Sequence, residues 1–213
     1  MLTHDVDLLV YEPGLFKLWR IDHQQRGKGG NGTLNGTAFS AAGAEFVNAK
    51  VQAGDVLTLA SIDGLIDGCY EIVAVVSATQ LTVSVVRPDA ADAAIPVGVG
   101  NNLIWHIGTF APQRALAERM LCDRLELTDA SLAALNAKSV QRLGLAMIAA
   151  ALAIVFEALI QQDGDEKTLG RKKDIYQQML ESVVIRLYLE ADTTGDGQPD
   201  TAFRGDAVKM KRK

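Results

Sequence analysis

The feature that most constrains the fold of this chain is an alanine-rich apolar run in its C-terminal half. No charged residue occurs from Leu143 to Phe156, and apolar residues resume at 158–160, after Glu157. A membrane-spanning helix needs about 20 predominantly apolar residues, and this run is shorter and is broken by a glutamate. A helix that is apolar on all sides lies either in a membrane or inside protein. Because alanine permits close packing and adds little drive for insertion, we predict burial in a helical bundle or a subunit contact, with no membrane.

This run belongs to a longer helical region, which we predict over residues 110–190. Pro112 suits the first position of a helix, and Thr128 and Ser139 are placed to cap the next two helices. The last helix is predicted from about 171 to 190, since its apolar residues recur at steps of three and four. The region is therefore expected to form a helical bundle core.

Signals for β-strands fill the preceding region, 27–109. Alternating or β-branched segments separated by turn residues predict a small antiparallel barrel or sandwich. These segments lie at 55–60, 69–76, 81–86 and 103–107. The region opens with the glycine-rich stretch 27–32, which we interpret as a flexible loop. It lacks the GxxxxGK[ST] pattern of a phosphate-binding loop.

Short segments flank these two regions. Residues 1–26 are predicted as an N-terminal helical arm, in which Thr3 caps a helix that ends before Pro13. Residues 191–213 are predicted as an extended basic C-terminal arm. The predicted fold class is α+β, with a C-terminal helical bundle and a small antiparallel β barrel or sandwich inserted after a short N-terminal helix.

The C-terminal arm carries the strongest local charge. From Arg204 onward there are five cations and one acid, in a chain whose net charge is -5. Three interpretations are open: a solvated terminus, a contact with nucleic acid phosphates, or a segment that becomes ordered on a partner protein. Composition does not choose among them.

The aspartates that precede this basic stretch resemble part of a calcium loop. Asp192, Asp196 and Asp200 have suitable spacing, but Thr194 occupies the third ligand position and Phe203 the twelfth. Calcium takes six to eight oxygen ligands, so the three aspartates are a weak calcium candidate. The alternative is a solvated turn, and we predict no metal or cofactor.

Motifs that carry catalytic mechanisms are not recognisable in the sequence. His4, His23 and His106 have no cysteine, glutamate or second histidine at ligand spacing. Cys69 and Cys122 do not form a CxxC pair, and we interpret them as buried thiols in a reducing compartment. The prediction is that the protein is not an enzyme.

The order of several segments resembles that of head-to-tail connector, or adaptor, proteins of tailed bacteriophages. The resemblance covers about two thirds of the chain and is strongest in the helical part. Its segments are 7–9, 12–16, 149–160 with Phe156-Glu157-Ala158, 171–190, and 192–200 leading to the basic C-terminus. The β-rich region is larger than in the plainest family members and looks like an inserted module.

The resemblance implies a structural virion protein in the neck of the particle, assembled in the host cytoplasm. Such proteins form a ring, usually of twelve copies, which lies below the portal protein, extends the DNA exit channel and touches DNA only transiently. Stopper or tail proteins would be further partners. The implied portal-binding arm comprises Thr201, Phe203, Arg204, Val208, Lys209, Met210, Lys211, Arg212 and Lys213. The alternatives are a tail-completion or stopper protein of the neck and a calcium-binding scaffold or adhesion module.

Overall fold

The structure, a computed structural model, describes residues 2–18, 21–163 and 165–205. The chain divides into two compact units. The barrel unit is His4–Ala111, and the helical unit comprises the described parts of Met1–Thr3 and Pro112–Lys213. The predicted α+β class is confirmed, with a closed antiparallel barrel and a C-terminal helical region.

Six antiparallel strands close the barrel in the order β1-β2-β5-β4-β3-β6. Their bounds are β1 Gln25–Gly36, β2 Ala38–Ala41, β3 Val56–Ala60, β4 Asp67–Ser77, β5 Gln80–Ser84 and β6 Gly98–Gly108. Closure of the sheet pairs β1 with β6 and leaves no open edge in the ring of strands. Of the two predicted alternatives, a barrel and a sandwich, the structure shows the barrel.

Strand β1 contains the glycine-rich stretch, so the prediction of a flexible loop there is wrong. The physical reason is Trp105, which lies opposite Gly29 on β6. A Cβ on Gly29 would lie 2.6 Å from Nε1 of Trp105, and a Cβ on Gly27 would lie 3.0 Å from Cζ3. The indole N–H donates to Oδ1 of Asn31 at 3.3 Å. Glycine is needed because the indole occupies the space of the missing side chains.

Aromatic side chains fill the centre of the barrel. Trp105 makes edge contacts with Phe39 and Phe46, at ring-centre distances of 6.1 and 5.5 Å. Such pairs contribute about 0.5–1.5 kcal/mol beyond the burial of their area. Buried aliphatic residues complete the core: Leu34, Val51, Leu57, Leu59, Ile66, Ile72, Leu81, Val83, Leu103 and Ile107.

Two short helices, α1 (Asp5–Tyr11) and α2 (Leu15–Leu18), belong to the same unit as the barrel. His4, and not Thr3, is the capping residue of α1. The buried Asp5 accepts a hydrogen bond from the backbone N–H of Phe110 at 3.2 Å. The predicted boundary near residue 26 is therefore not a boundary of the structure, since these helices pack as part of the barrel unit.

The helical unit contains α3 (Ala111–Leu125), α4 (Asp129–Ala133), α5 (Ala137–Asp163) and α6 (Glu166–Ile185). Thr128 caps α4, as predicted. Ser139 does not cap α5, because its N–H donates to Oδ1 of Asn136, at 2.8 Å, one residue before the helix. Helix α6 begins earlier than predicted, after its cap Asp165, and residues 188–190 leave the helix for a strand.

Helix α5 holds the apolar run that constrains the fold. By length and composition alone, the stretch 137–162 could cross a membrane. Core helices of soluble proteins can be equally long and apolar, and more than half of the most apolar 18-residue stretch of this helix is buried inside the protein. Phe156 is fully buried and stacks on Tyr176 of α6, with ring centres 5.8 Å apart. The alanine-rich run thus packs against protein, as predicted.

Candidate interaction surface at the C-terminal hairpin

The C-terminal end of the described chain is a two-stranded antiparallel hairpin. Strand β7 (Tyr188–Ala191) pairs residue by residue with β8 (Thr201–Arg204). The prediction of an unpacked arm from residue 191 onward is therefore wrong as far as residue 204. The Gly-Asp-Gly turn between two short segments is the local signal that could have predicted a hairpin here.

The other edge of β7 is held by the connection between α4 and α5. The N–H of Asn136 donates to the carbonyl of Glu190 at 3.2 Å, and the N–H of Asp192 donates to the carbonyl of Ala134 at 2.9 Å. The N–H of Glu190 donates to Oγ of Ser139 at 2.8 Å. These bonds fix the hairpin to the helical unit by its backbone.

The two faces of the hairpin differ in their exposure. Leu189 is fully buried, and Phe203, directly opposite, is half-buried on the same face. Arg204 is exposed on the other face, with its guanidinium 5.5 Å from the ring centre of Tyr188, close enough for a cation–π interaction. Among the predicted arm residues that are described, Thr201 and Phe203 thus lie on the packed side and Arg204 faces solvent.

The chain leaves the hairpin through Gly205, which lies against the end of α6. Its N–H donates to the carbonyl of Leu187 at 3.1 Å. A Cβ at this position would be 1.9 Å from the carbonyl oxygen of Val184, so a larger residue would displace the backbone. The remaining predicted arm residues lie outside the described residues: Val208, Lys209, Met210, Lys211, Arg212 and Lys213.

The loop that joins the two strands is held by its own aspartates. The Asp192 carboxylate accepts hydrogen bonds from the N–H groups of Gly197 and Gly195, at 2.7 and 2.6 Å. Asp200 accepts from the N–H and the Oγ1 of Thr193, at 3.1 and 2.8 Å. These bonds hold the pKa of both carboxyl groups well below the usual range.

The weak calcium candidate gains no support from this geometry. Asp192 and Asp200 are engaged with loop amides, and Asp196 accepts from the N–H of Gln198 at 2.8 Å. Within the described residues, no group of three or more His, Cys, Asp or Glu side chains is placed to hold a metal ion. The loop is therefore a turn held by its own hydrogen bonds.

The histidines and cysteines are distributed over different elements. His4 caps α1, His23 is exposed in a short 3-10 helix, and His106 is buried in the barrel. Cys69 and Cys122 do not form a disulfide, and both are partly buried. Burial raises the pKa of the Cys122 thiol, and nearby carboxylates add to the shift. A raised pKa opposes formation of a reactive thiolate at neutral pH.

Comparisons with known proteins return no match of any kind. No family model, no curated protein and no solved structure matches the chain. The features that bear on function are therefore the geometry of the hairpin, the exposed apolar residues and the order of the sequence segments.

Proposed function

We propose that this protein is a head-to-tail adaptor of a tailed bacteriophage, a structural virion protein and not an enzyme. In this proposal twelve copies form a ring below the portal protein and extend the DNA exit channel in the neck, after assembly in the host cytoplasm. The helical unit forms the ring core as a bundle, and the barrel is a module inserted after a short N-terminal helix. The portal and the stopper or tail proteins are the partners.

The observation that carries this proposal is the anchored hairpin at the start of the basic segment. Hydrogen bonds from the α4–α5 connection and the close contact of Gly205 with α6 fix the point where that segment begins. Four cations follow within eight residues: Lys209, Lys211, Arg212 and Lys213. Because the hairpin is already ordered, a partner that binds the basic segment does not also have to order its base. Such a base suits an arm that grips the portal.

Apolar side chains on the surface of the helical unit give a second line of support. Leu116 and Met120 lie one turn apart on α3 and are exposed, and Ile175 and Ile185 on α6 are exposed as well. Scattered apolar residues are normal on a surface, but the pair Leu116 and Met120 at helical spacing suits contact with a sister copy. A ring needs such contacts on each subunit.

The charge of the barrel unit fits a passive channel component. Residues 4–111 contain eleven acidic and only six basic side chains. An acidic surface repels the phosphates of DNA, so any contact is brief and independent of sequence. This is the transient, non-specific contact expected of a channel wall.

The mass of the purified protein, alone and mixed with its portal protein, tests the proposal. We expect a ring and a stable complex with the portal. A chain truncated after Gly205 keeps β8 and should bind the portal at least tenfold more weakly, whereas a variant with Lys209, Lys211 and Lys213 changed to Arg should bind normally. A strict monomer that never binds the portal would overturn the proposal, and equal binding by the truncated chain would overturn the role of the arm.

A second candidate, a tail-completion or stopper protein of the same neck, is favoured by one observation. Helices α1 to α6 cover 78 of the 213 residues, which is close to the average for globular proteins, and a closed six-stranded barrel is the larger of the two described sheets. Stopper proteins are expected to be mostly β. Binding assays separate the two candidates, because a stopper should bind a portal already fitted with its adaptor and ignore the bare portal.

A further inference from the structure

A groove in the helical unit is lined by helix α3, helix α4 and their connection. Its volume is about 440 Å³, and we call it the α3–α4 groove. Ala115, Leu127 and Leu132 form the apolar part of its lining. Leu127 is buried and the other two are half-buried, so a side chain that enters the groove can bury apolar atoms there.

Acidic side chains outnumber basic ones in the lining of the α3–α4 groove. Glu118, Asp123 and Asp129 are opposed by a single guanidinium, that of Arg119. Among the described residues, the exposed carboxylates of Asp123 and Asp129 make no ion pair or hydrogen bond. Burial raises the pKa of the Cys122 thiol, which also lines the groove, and the three carboxylates raise it further. The electrostatic potential in the groove is therefore negative.

This combination of apolar and acidic groups suits the side chains of lysine and arginine. Their methylene stems lie along apolar surface while their charged ends reach polar groups, and the groove offers leucine side chains beside carboxylates. A metal ion is a poorer match, because no group of three or more His, Cys, Asp or Glu among the described residues is placed to hold one. The groove therefore fits a peptide segment with several long cationic side chains.

The chain itself contains such a segment, residues 206–213, which we call the basic segment and which lies outside the described residues. Its cations all fall within its last five residues: Lys209, Lys211, Arg212 and Lys213. Its one acid, Asp206, is its first residue, next to the hairpin. The cations can therefore enter an acidic groove without carrying the acid with them.

The hairpin places the start of the basic segment within reach of the groove. Strand β7 is joined to α4 by the N–H of Asp192, which donates to the carbonyl of Ala134, two residues after Leu132. Gly205 leaves the hairpin at the other end of β7, beyond Tyr188, so roughly 20–25 Å separate it from the groove. Eight extended residues span roughly 26–29 Å. Because a tether of this length keeps the local concentration of the segment high, docking within one chain needs less affinity than docking between chains.

We propose that the basic segment docks into the α3–α4 groove of its own chain, where its cations pair with the carboxylates of the lining. The docked segment is covered, and a partner that binds it has to displace it from the groove. That this partner is the portal rests on the proposed function, whereas the docking itself does not. The groove then acts as a competitor that keeps the segment from binding weakly to other acidic surfaces.

Carbodiimide coupling of the full natural chain tests the docking, because this reagent joins a lysine amine to a carboxylate that it touches. We expect amide links from Lys211 and Lys213 to Asp123 and Asp129. The links should be found by mass spectrometry in material that runs as a monomer on a denaturing gel.

Glu181 provides the reference carboxylate in the same sample. It is exposed on α6, about one turn before Val184, which lies against Gly205. Glu181 is therefore close to the point where the basic segment is attached, and an undocked segment would meet it readily. Docking predicts at least fivefold more links to the groove carboxylates than to Glu181.

Neutralising one groove carboxylate should weaken contact with the other. Asp129→Asn should lower the yield of links to Asp123 at least threefold, whereas Glu181→Gln, the matched loss of one exposed charge, should leave it unchanged. Raising the salt concentration from about 50 to about 500 mM should lower the same yield in the natural chain, because salt screens exposed charges. The salt arm needs no variant, so it decides the matter even if Asp129→Asn does not fold.

The outcomes separate this inference from the proposed function. Links to Glu181 that equal or exceed those to the groove overturn the docking, and groove links found only in cross-linked dimers overturn docking within one chain. In either case the adaptor proposal stands if rings still bind the portal. Groove links that persist at full yield when excess portal is bound support the docking and overturn the role of the basic segment in portal binding.

Discussion

The barrel unit and the helical unit are stabilised in different ways. The barrel has a core of large aromatic rings in defined contacts, and buried ion pairs tie its strands to its loops. The helical unit buries an alanine-rich helix, with an aromatic stack between α5 and α6. Large rings in specific contacts tolerate substitution poorly, whereas small alanine side chains let helix backbones approach closely.

This difference suggests a division of labour. The barrel is closed, and it exposes apolar residues at turns, such as Ile62 and Leu65, and on outer strand faces, such as Val76 and Ile104. The helical unit exposes apolar residues along helices and leaves one strand, β8, at the edge of its small sheet. Predictions that affect one unit and spare the other test the comparison directly.

The largest effect is expected from breaking the buried ion pair of the barrel. Glu71→Ala leaves the guanidinium of Arg87 buried without its carboxylate, and the loss of one partner of such a pair costs about 3–5 kcal/mol. An arginine side chain stays protonated in proteins, so Arg87 keeps its charge after the carboxylate is removed. Hydrogen exchange followed by mass spectrometry should show lost protection in barrel peptides only.

A double variant controls for the loss of charge in this experiment. Glu71→Met with Arg87→Met removes both charges and keeps apolar bulk, so it should recover most of the lost free energy of unfolding. If the single variant were as stable as the natural chain, the ion pair would not be part of what holds the barrel together.

Neighbouring glycines of β1 provide the next test. Gly29→Val places atoms where the Trp105 indole lies and should cost about 1–3 kcal/mol by overpacking. Gly30→Val, one residue away, meets nothing within 4 Å and should change the free energy of unfolding by less than about 0.5 kcal/mol. Urea denaturation monitored by tryptophan fluorescence measures both. Equal midpoints for the two variants would contradict the role assigned to the indole.

The helical unit should respond in the opposite direction to a similar change. Gly170 lies within α6, and a Cβ there meets nothing within 4 Å. Gly170→Ala should therefore stabilise this unit by about 0.5–1 kcal/mol. Gly205→Ala makes the same chemical change against the carbonyl of Val184 and should destabilise the hairpin. Hydrogen exchange of α6 and β7 peptides measures both, and stabilisation by both would show that the contact at Gly205 is not tight.

The smallest effect is expected from acidification, which should weaken the hydrogen bonds within the hairpin loop. Hydrogen bonds from Thr193 lower the pKa of Asp200, so this carboxylate stabilises the loop above its ordinary pKa of about 3.9. The contribution is lost as the pH falls through the lowered value. In an NMR acid titration, the amide of Thr193 should keep its shift to well below pH 4 and then move. A midpoint near 4 would contradict these bonds, and Asp200→Asn should abolish the transition.

Sequence periodicity predicted much of the fold but missed features that depend on distant partners. Four barrel strands were visible because their β-branched and alternating residues show a local signal. Strand β1 was missed because glycine carries no such signal. Its glycines leave space for Trp105, which lies more than 70 residues further along the chain. The first turn of α6 was missed because its polar residues gave no apolar period before Leu169.

The candidate interaction surface was only partly predictable for the same reason. The charge of the C-terminal segment is evident from composition, and Thr201, Phe203 and Arg204 were singled out with it. That β8 pairs with β7, and that Asn136 and Ser139 hold β7 in place, depends on tertiary contacts. The exposed Ile62 and Leu65 in the turn after β3 were not predicted, because the exposure of an isoleucine or leucine cannot be read from a turn sequence.

The pairing of β8 with the anchored strand β7 determines how the protein responds to a pull on its C-terminal segment. Because β7 is the anchored strand, a pull at Gly205 loads the strand pairs singly, beginning with Arg204 and Tyr188. Once the hairpin opens, the 13 residues from Asp192 to Arg204 can extend by roughly 40 Å. The hairpin segment would lengthen before tension reached the helices, so a pull on the C-terminal segment would be absorbed within the hairpin.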